Sequence, residues 1–537
     1  MAVTNSLSLY LLAGMFLAYT LYTRIALHRR RQRMIAEHGC KPCPHRYNTD
    51  NIIGLNVLLE TARNTRLRRL LPGNRARFLK QKTHTFLTRM IHYPFVATAE
   101  PENIKTILSL RFKDYGFGNR SASFTPLLGP GIFNNDGEKW ANSRHLIRPN
   151  FAREQVANLE DFERHFKLLL RHIPSDGETF DIQPLFFKFT IDSATEFLYN
   201  HSTNSLRMTE EDEETSPDAI FARAFTFAQE DVLARLRWDI LDVFRPKSKA
   251  KEAIRICHAY VDKIVDQAIQ WRRDREAAAA AGKKVDDDGR YVFIHELVKQ
   301  TDDKEQVRSE LMNVLLAGRD TTASLMSNAL FEISQRPHIW AKIREEIAFL
   351  KGREPTYEEL KSFKYLKYCL NECKHHPDNP LNSISPNQQK LTSATSTALR
   401  LNPVVPMNAR MAIRDTVLPL GGGPDCKSPL FIPKGWQVGY SPYTLHRRAD
   451  IYGPDAEEFR PERWETLRVG WEYLPFNGGP RICLGQQYAL AEAGYVICRL
   501  AQTFARLESR DETGEWVEAL TLTCCSGNGV KIGVFGA

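Results

Sequence analysis

One ten-residue stretch near the C-terminal end constrains this chain more than any other: Phe476-Asn-Gly-Gly-Pro-Arg481-Ile-Cys483-Leu-Gly485. A single cysteine stands among glycines, an arginine lies two residues before it, and a helix-forming run from Gln486 to Leu500 follows. Gly478, Gly479 and Gly485 let backbone pass close to a flat ligand and supply turn angles that other residues resist. Cysteine thiolate is a strong donor to haem iron, and haem held in this way favours O–O bond cleavage. The N–H groups of the turn and the N-terminus of the following helix stabilise charge on the sulfur. Arg481 is placed to meet a haem propionate through a charge-assisted contact, and Phe476 to shield the sulfur from water.

At 537 residues the chain can bury a large core, as one large domain or as two or three. The net charge of +9 is modest and unevenly spread. Arg24, Arg29, Arg30, Arg31 and Arg33 form one basic cluster, and Arg63, Arg66, Arg68, Arg69, Arg75 and Arg77 form another. No nucleic-acid motif accompanies either, so anionic lipid or an acidic partner protein suits them better than nucleic acid. The ten cysteines show no regular framework. Cys40-x-x-Cys43 has no second pair at zinc spacing, and Cys524 and Cys525 are adjacent, which reads as reduced cysteines facing a cytosolic redox poise.

The N-terminal run Leu7 to Leu27 is mostly apolar, interrupted by Arg24, and is long enough to cross a hydrocarbon core. Arg24 can snorkel towards the headgroups. The positive charges follow the apolar run, whereas a cleaved signal peptide carries them ahead of it. Residues 1–28 are therefore expected as a transmembrane anchor, with the N-terminus lumenal and the rest cytoplasmic. Residues 29–50 are expected as a basic linker ending in the stiff turn Cys40-Lys-Pro42-Cys-Pro44, and residues 51–537 as the globular part.

Within the globular part, Pro101 to Leu108 reads as a capped helix start. Tyr115 to Asn135 is a Gly/Pro-rich loop carrying Phe117, Phe124, Leu127, Leu128, Ile132 and Phe133; it suits a flexible wall over an apolar ligand and an ordinary core-covering loop equally. Trp140 and Arg144 stand one turn apart on one helix face. Leu159–Ile173 and Phe186–Tyr199 read as amphipathic helices, Asn204–Asp218 as an exposed acidic loop, and Arg275–Arg290 as a linker. The aromatic run Phe221 to Gln229 reads either as the roof of a substrate channel or as a core helix. Lys304 to Arg336 is the longest helical pattern, ended by Pro337. Its centre, Ala317-Gly318-Arg-Asp320-Thr321-Thr322, places an acid and two hydroxyls among small residues, where a flat macrocycle can approach and a hydroxyl can hold water and relay protons. Val404 to Arg410 reads as a strand.

These features together resemble the cytochrome P-450 family. The cysteine loop matches the family pattern Phe-x-x-Gly-x-Arg-x-Cys-x-Gly in full. Trp140-x-x-x-Arg144 is similar to its second propionate-binding helix, and Asp320-Thr321 stand at the positions of its acid–alcohol pair. Glu372 and the later Pro461-Glu462-Arg463 resemble the family's buried ion-pair network. The resemblance implies a mainly α fold with a smaller β-rich lobe, and haem b held between two long helices with Cys483 as axial ligand. It implies monooxygenation, with Asp320 and Thr321 delivering protons and Trp140, Arg144, Arg410 and Arg481 neutralising the propionates. No flavin or nicotinamide fingerprint is present, which implies electrons from a separate NADPH-cytochrome P-450 reductase in the endoplasmic reticulum membrane. His38-Gly-Cys-Lys-Pro42, Leu128-Gly-Pro-Gly-Ile-Phe133 and Pro403 to Arg410 look similar to the fungal alkane and fatty-acid hydroxylases. A small apolar substrate follows, a fatty acid or alkane, with a polyketide-like fungal metabolite as the alternative and a non-catalytic haem-thiolate sensor as the reading from another class.

One departure stands out. The family has Glu-x-x-Arg where this chain has Glu372, and the matching arginine is Arg400, beyond a segment 374–398 rich in Asn, Ser, Thr and Pro. Removing those 25 residues joins Glu372-Cys373 to Leu399-Arg400 in one helical pattern stopped by Pro403, with Glu372 and Arg400 at i, i+3. The segment corresponds to a whole number of codons, and Cys373-Lys374 can be encoded TGT-AAG, containing a donor-like GTAAG. The expectation is a translated intron rather than a surface insertion. Sequencing the messenger RNA across this point checks it: the mature transcript lacks the codons for 374–398, and a transcript that keeps them and yields active protein would overturn the reading.

Overall fold

A computed structural model describes residues 2–48, 54–90, 93–118, 120–152, 159–174, 176–282, 291–370 and 398–536. The chain forms two compact units, one from Met1–Leu59, Ala76–Gly116 and Ala409–Tyr440, the other from Glu60–Arg75, Phe117–Asn408 and Ser441–Ala537.

The smaller unit begins with helix α1, Ala2–Glu37. From Tyr10 onward it is long and apolar enough to cross a membrane, and Phe16 and Leu17 are about seven-tenths exposed. The helix does not stop at residue 28. It runs on through the arginine cluster, because Arg, Gln, Met and Glu are good helix formers. The expected linker is also docked: Arg31 grips Asp415 with two bonds of 3.0 Å, Lys41 N–H donates to the Pro429 carbonyl and Gly423 N–H to that of Pro42.

The strands of this unit are β1 Thr85–Met90, β2 Tyr93–Thr98, β3 Tyr115–Gly116, β4 Asn408–Ala412, β5 Thr416–Gly422, β6 Ser428–Ile432 and β7 Gln437–Tyr440. Five make one sheet in the order β1-β2-β7-β4-β3, with β2 parallel to β7, and β5 and β6 form a hairpin. Asn103 locks the hairpin to the sheet, donating to Thr98 Oγ1 and the Leu420 carbonyl at 3.1 Å while accepting from Leu420 N–H at 3.0 Å. The strand expected from Val404 starts only at Asn408, since Pro403 and Pro406 remove ladder donors.

The larger unit is mainly helical: α2 Gly137–Ile147, α3 Glu160–Leu170, α4 Gln183–Tyr199, α5 Pro217–Trp238, α6 Ser248–Ala280, α7 Lys304–Ser334, α8 Lys364–Leu370, α9 Ala398–Leu401 and α10 Gln486–Thr503. Asp303 caps α7 by accepting from Gln306 N–H at 3.0 Å, a bond typically worth about 1 kcal/mol. From Val307 to Ser334 most side chains of α7 are buried. Met326, Ala329 and Leu330 pack with Phe186 and Phe189 of α4 and Val496 and Ile497 of α10.

Four local expectations change. Pro101–Lys105 is helical, but its N-cap residue Glu100 makes no side-chain cap and the helix passes into a π turn, Thr106–Leu110. The acidic stretch is not all loop, because Thr209 and Asp212 form a capping box that starts a helix, Glu210–Thr215. The alanine run expected as linker continues α6 to Ala280; residues 283–290 lie outside the described residues. The loop 115–135 contains the helix Arg120–Leu128, which buries Phe124, Leu127 and Leu128.

Two buried arginines, Arg400 of α9 and Arg463 of the 3-10 turn Pro461–Glu465, both donate to the chain around 452–458. Arg400 donates to the carbonyls of His446 (3.0 Å), Ala456 (2.6 Å) and Glu458 (2.8 Å). Arg463 donates to the Tyr452 carbonyl at 2.8 Å and to Asp455 Oδ1 at 3.0 Å. Glu372, the expected third member of this network, lies outside the described residues, as does most of 374–398. Leu370 and Leu399, on either side of that stretch, are buried in one core cluster.

Arg400→Leu would leave the buried carbonyls of His446 and Ala456, and the part-buried carbonyl of Glu458, without their donor. The expected loss is about 3 kcal/mol or more, at about 1–3 kcal/mol for each unsatisfied group, read as the midpoint of urea unfolding. Arg400→Lys should not restore it, since an ammonium lacks the fork geometry.

Candidate active site

The cysteine loop is held by its own backbone. Cys483 N–H donates to the Phe476 carbonyl at 3.1 Å, and Asn477 and Gly479 take left-handed φ values of 65° and 68°. A Cβ at Gly478 would come within 2.6 Å of the Trp471 ring. Gly479–Arg481 forms a 3-10 turn, and Gly485 begins α10. Phe476 packs against the main core cluster. The loop is fixed, yet Cys483 itself is exposed. Protein packed round the sulfur pushes the thiol up from its ordinary value, against the Gly485 N–H and the Arg144 guanidinium. Such a thiol is ionised outright when it coordinates a metal.

Arg481 is wedged between two rings, 4.3 Å from the Phe117 centroid and 4.5 Å from that of Trp140. Its guanidinium donates to Asp136 Oδ1 at 2.7 Å and to the carbonyls of Asn135 at 2.8 Å and Ile132 at 3.3 Å. The 115–135 segment, left open between two readings, therefore covers core with its helix and clamps Arg481 with its end. Trp140 is buried on α2, and Arg144, one turn on, donates to the Ile482 carbonyl at 3.0 Å. The structure thus brings Trp140, Arg144, Arg481 and Cys483 together. Arg410 belongs to the smaller unit, where it is buried and donates to the Ala409 carbonyl at 2.8 Å.

On α7, the Thr321 hydroxyl donates to the Ala317 carbonyl at 2.6 Å, and the helix stays α throughout. Gly318 faces Ala194 of α4 at ordinary contact distance. Asp320 is buried and lies 3.3 Å from Arg319; burial pushes its carboxyl up, with Arg319 opposing. Phe221 and Phe225 are buried, and Phe221 stacks on Tyr260 at 4.1 Å, so the aromatic run is a core helix at these positions.

Three acids went unnoticed in the sequence. Asp136 pairs with Arg481 across 345 positions. Glu310 on α7 is fully buried near Ser143 and Ile132, and burial pushes it up to about 7. Glu492 on α10 is pushed up to about 8 by burial, facing Ser193 and Thr322. Helical periodicity puts Glu310 and Glu492 on helices, but only packing reveals that no water reaches them.

An accessible thiol on a rigid loop, with two guanidinium groups and an indole beside it, fits a flat macrocycle bearing carboxylates and an iron that takes sulfur. The donor set defines a haem-thiolate protein. A family profile described as Cytochrome P450 matches residues 67–373 and 391–518. The chain is similar to the cytochrome P450 monooxygenase fsdH of Fusarium heterosporum, 45% identical over 528 residues, covering 97% of this chain and 87% of that protein. It is similar to the cytochrome P450 monooxygenase himC of Aspergillus japonicus, 43% identical, covering 98% and 89%. It is also similar to cytochrome P450 52A3-B of Candida maltosa, 41% identical, covering 96% and 95%. The chain belongs to the cytochrome P450 family and is a monooxygenase. The gap in the profile match, 374–390, falls inside the segment 374–398.

Cys483→Ser should remove the long-wavelength absorption that a thiolate gives the reduced carbon monoxide complex. A serine variant with that band intact would show that another residue holds the iron.

Proposed function

We propose that the protein hydroxylates a long apolar chain, a fatty acid or alkane, at or near its end. Haem b is its prosthetic group. The observation that carries this reading is the pairing of an accessible Cys483 beside Arg144 and Arg481 with an acid and an alcohol on the longest helix. When bound, the haem activates O₂, so that one oxygen atom enters a C–H bond and the other leaves as water. Cys483 would hold the haem iron through its thiolate. Trp140, Arg144 and Arg481 would hold the propionates. Asp320, whose carboxyl is pushed up by burial with Arg319 opposing, takes up a proton and passes it on. Thr321 moves it by turning its hydroxyl away from the Ala317 carbonyl. Arg400 and Arg463 lock the chain around 452–458.

The substrate assignment is supported by the likeness of His38–Pro42, Leu128–Phe133 and Pro403–Arg410 to the fungal alkane and fatty-acid hydroxylases. Helix α1 supports it too, since an apolar substrate partitions into the bilayer that α1 would cross. The protein sits in the endoplasmic reticulum membrane as a single-pass protein, its catalytic part cytoplasmic, and takes electrons from NADPH-cytochrome P-450 reductase. We also infer that 374–398 is a translated intron; the break in the family match and the shared burial of Leu370 and Leu399 support this.

Titrating fatty acids of rising chain length against the haem absorption band tests the substrate class; a shift given by polyketides and by no fatty acid or alkane would make this a tailoring enzyme. Thr321→Ala should keep the haem and lose about a hundredfold in product per NADPH. Unchanged coupling would make Thr321 a structural threonine.

A further inference from the structure

Asp320 is held from a second helix. Gln229 of α5 is buried beside it. An amide oxygen cannot face a carboxylate, so the amide nitrogen donates to Asp320 Oδ2, and the amide oxygen then accepts from Arg319 Nη1 at 3.1 Å. One turn earlier on α5, Thr226 Oγ1 accepts from Arg319 Nη2 at 2.9 Å. The Arg319 guanidinium also lies 5.8 Å from the Phe187 ring centroid of α4. Consecutive residues of α7, a cation and an acid, are thus both gripped by the Thr226–Gln229 face of α5.

Arg319 and Thr226 also line a cleft of about 370 Å³, walled by Phe187, Ile191, Ala222 and Phe227. Thr321 stands about 200° further round α7 than Arg319, at about 100° per residue. Asp320 lies between the two.

We propose that Gln229 is the positioning residue of the proton relay: its amide, held on α5, fixes the Asp320 carboxyl in the place from which it serves Thr321. This rests on the reading of Asp320 and Thr321 as the relay. The amide carries no proton itself; its N–H stabilises the carboxylate, and withdrawing it favours the protonated acid. The other groups facing Asp320 are Arg319 on its own helix and the Cys525 thiol on the strand Cys524–Ser526. Burial pushes that thiol up to about 12, which leaves it neutral. Burial disfavours charge on Asp320, and Arg319 and Gln229 are the facing groups that favour it.

Gln229→Leu and Gln229→Met, compared with wild type and Asp320→Asn, test this with hexadecanoic acid, NADPH and the reductase. Product per NADPH should fall about tenfold in both Gln229 variants, with the haem-band titration of the fatty acid changed less than about twofold. The carboxyl band in pH-difference infrared spectra that Asp320→Asn removes should titrate at higher pH in both variants, because the anion has lost a donor. Gln229→Asn, which keeps the donor, should recover part of each effect. If both variants keep wild-type coupling and the same titration midpoint while Asp320→Asn uncouples, the inference falls and the relay stands. If Asp320→Asn is itself fully coupled, the relay reading falls and takes the inference with it.

Discussion

The thiol of Cys483 must stay reachable while the loop that carries it does not move, and much of the larger unit serves these two conditions together. A cysteine on a mobile loop would hold a cofactor poorly; one packed on every side would hold none. The loop resolves this by spending the Cys483 N–H on Phe476 and by backing Gly478 onto Trp471. Arg481 and Arg144 then fasten the same ten residues to the 132–136 segment and to α2. The Arg481 guanidinium fills three acceptors, Asp136 and the carbonyls of Asn135 and Ile132, from one planar fork, a geometry an ammonium lacks. Arg400 and Arg463 repeat the device around 452–458, where chain without regular structure would otherwise bury unpaired carbonyls.

The long helix α7 is the second fixed point. Its buried polar residues set its register against loops and strands. Asn313 donates to the Leu128 carbonyl and accepts from Phe133 N–H, both at 3.1 Å. Asn328 donates to the carbonyls of Asn402 and Cys524 at 3.0 Å. A slide of one turn would leave all of these unsatisfied in a low-dielectric interior, so the helix has one position. Asp320 and Thr321 inherit that position. Thr321 at present satisfies its own helix and Asp320 answers to α5, so two groups adjacent in sequence are governed by different neighbours.

The elements most legible in the sequence were those with local causes. The start of α7 at a capping aspartate, the helices α3 and α4, and the cysteine loop all follow from spacing or from turn chemistry. The misjudged elements were those in which composition pointed one way and neighbours another. The arginines after residue 28 looked like a linker, yet they extend α1, and Arg31 finds Asp415 across 384 positions. The acidic stretch looked like loop, and a single capping box made it helical.

The sequence by itself determined the local groupings: a cysteine and an arginine in one glycine-rich loop, a tryptophan and an arginine one turn apart, an acid next to an alcohol, and an apolar run ahead of them. Those follow from residue types at fixed short spacings, where geometry is local. Tertiary structure alone decided which charges meet. That Arg481 rests on Asp136, that Glu310 and Glu492 are shut away from water, and that Gln229 answers Asp320 depend on helices packing from distant parts of the chain. Burial and pairing are properties of the packed neighbours of a residue, and its own stretch of sequence carries almost no trace of who those neighbours are.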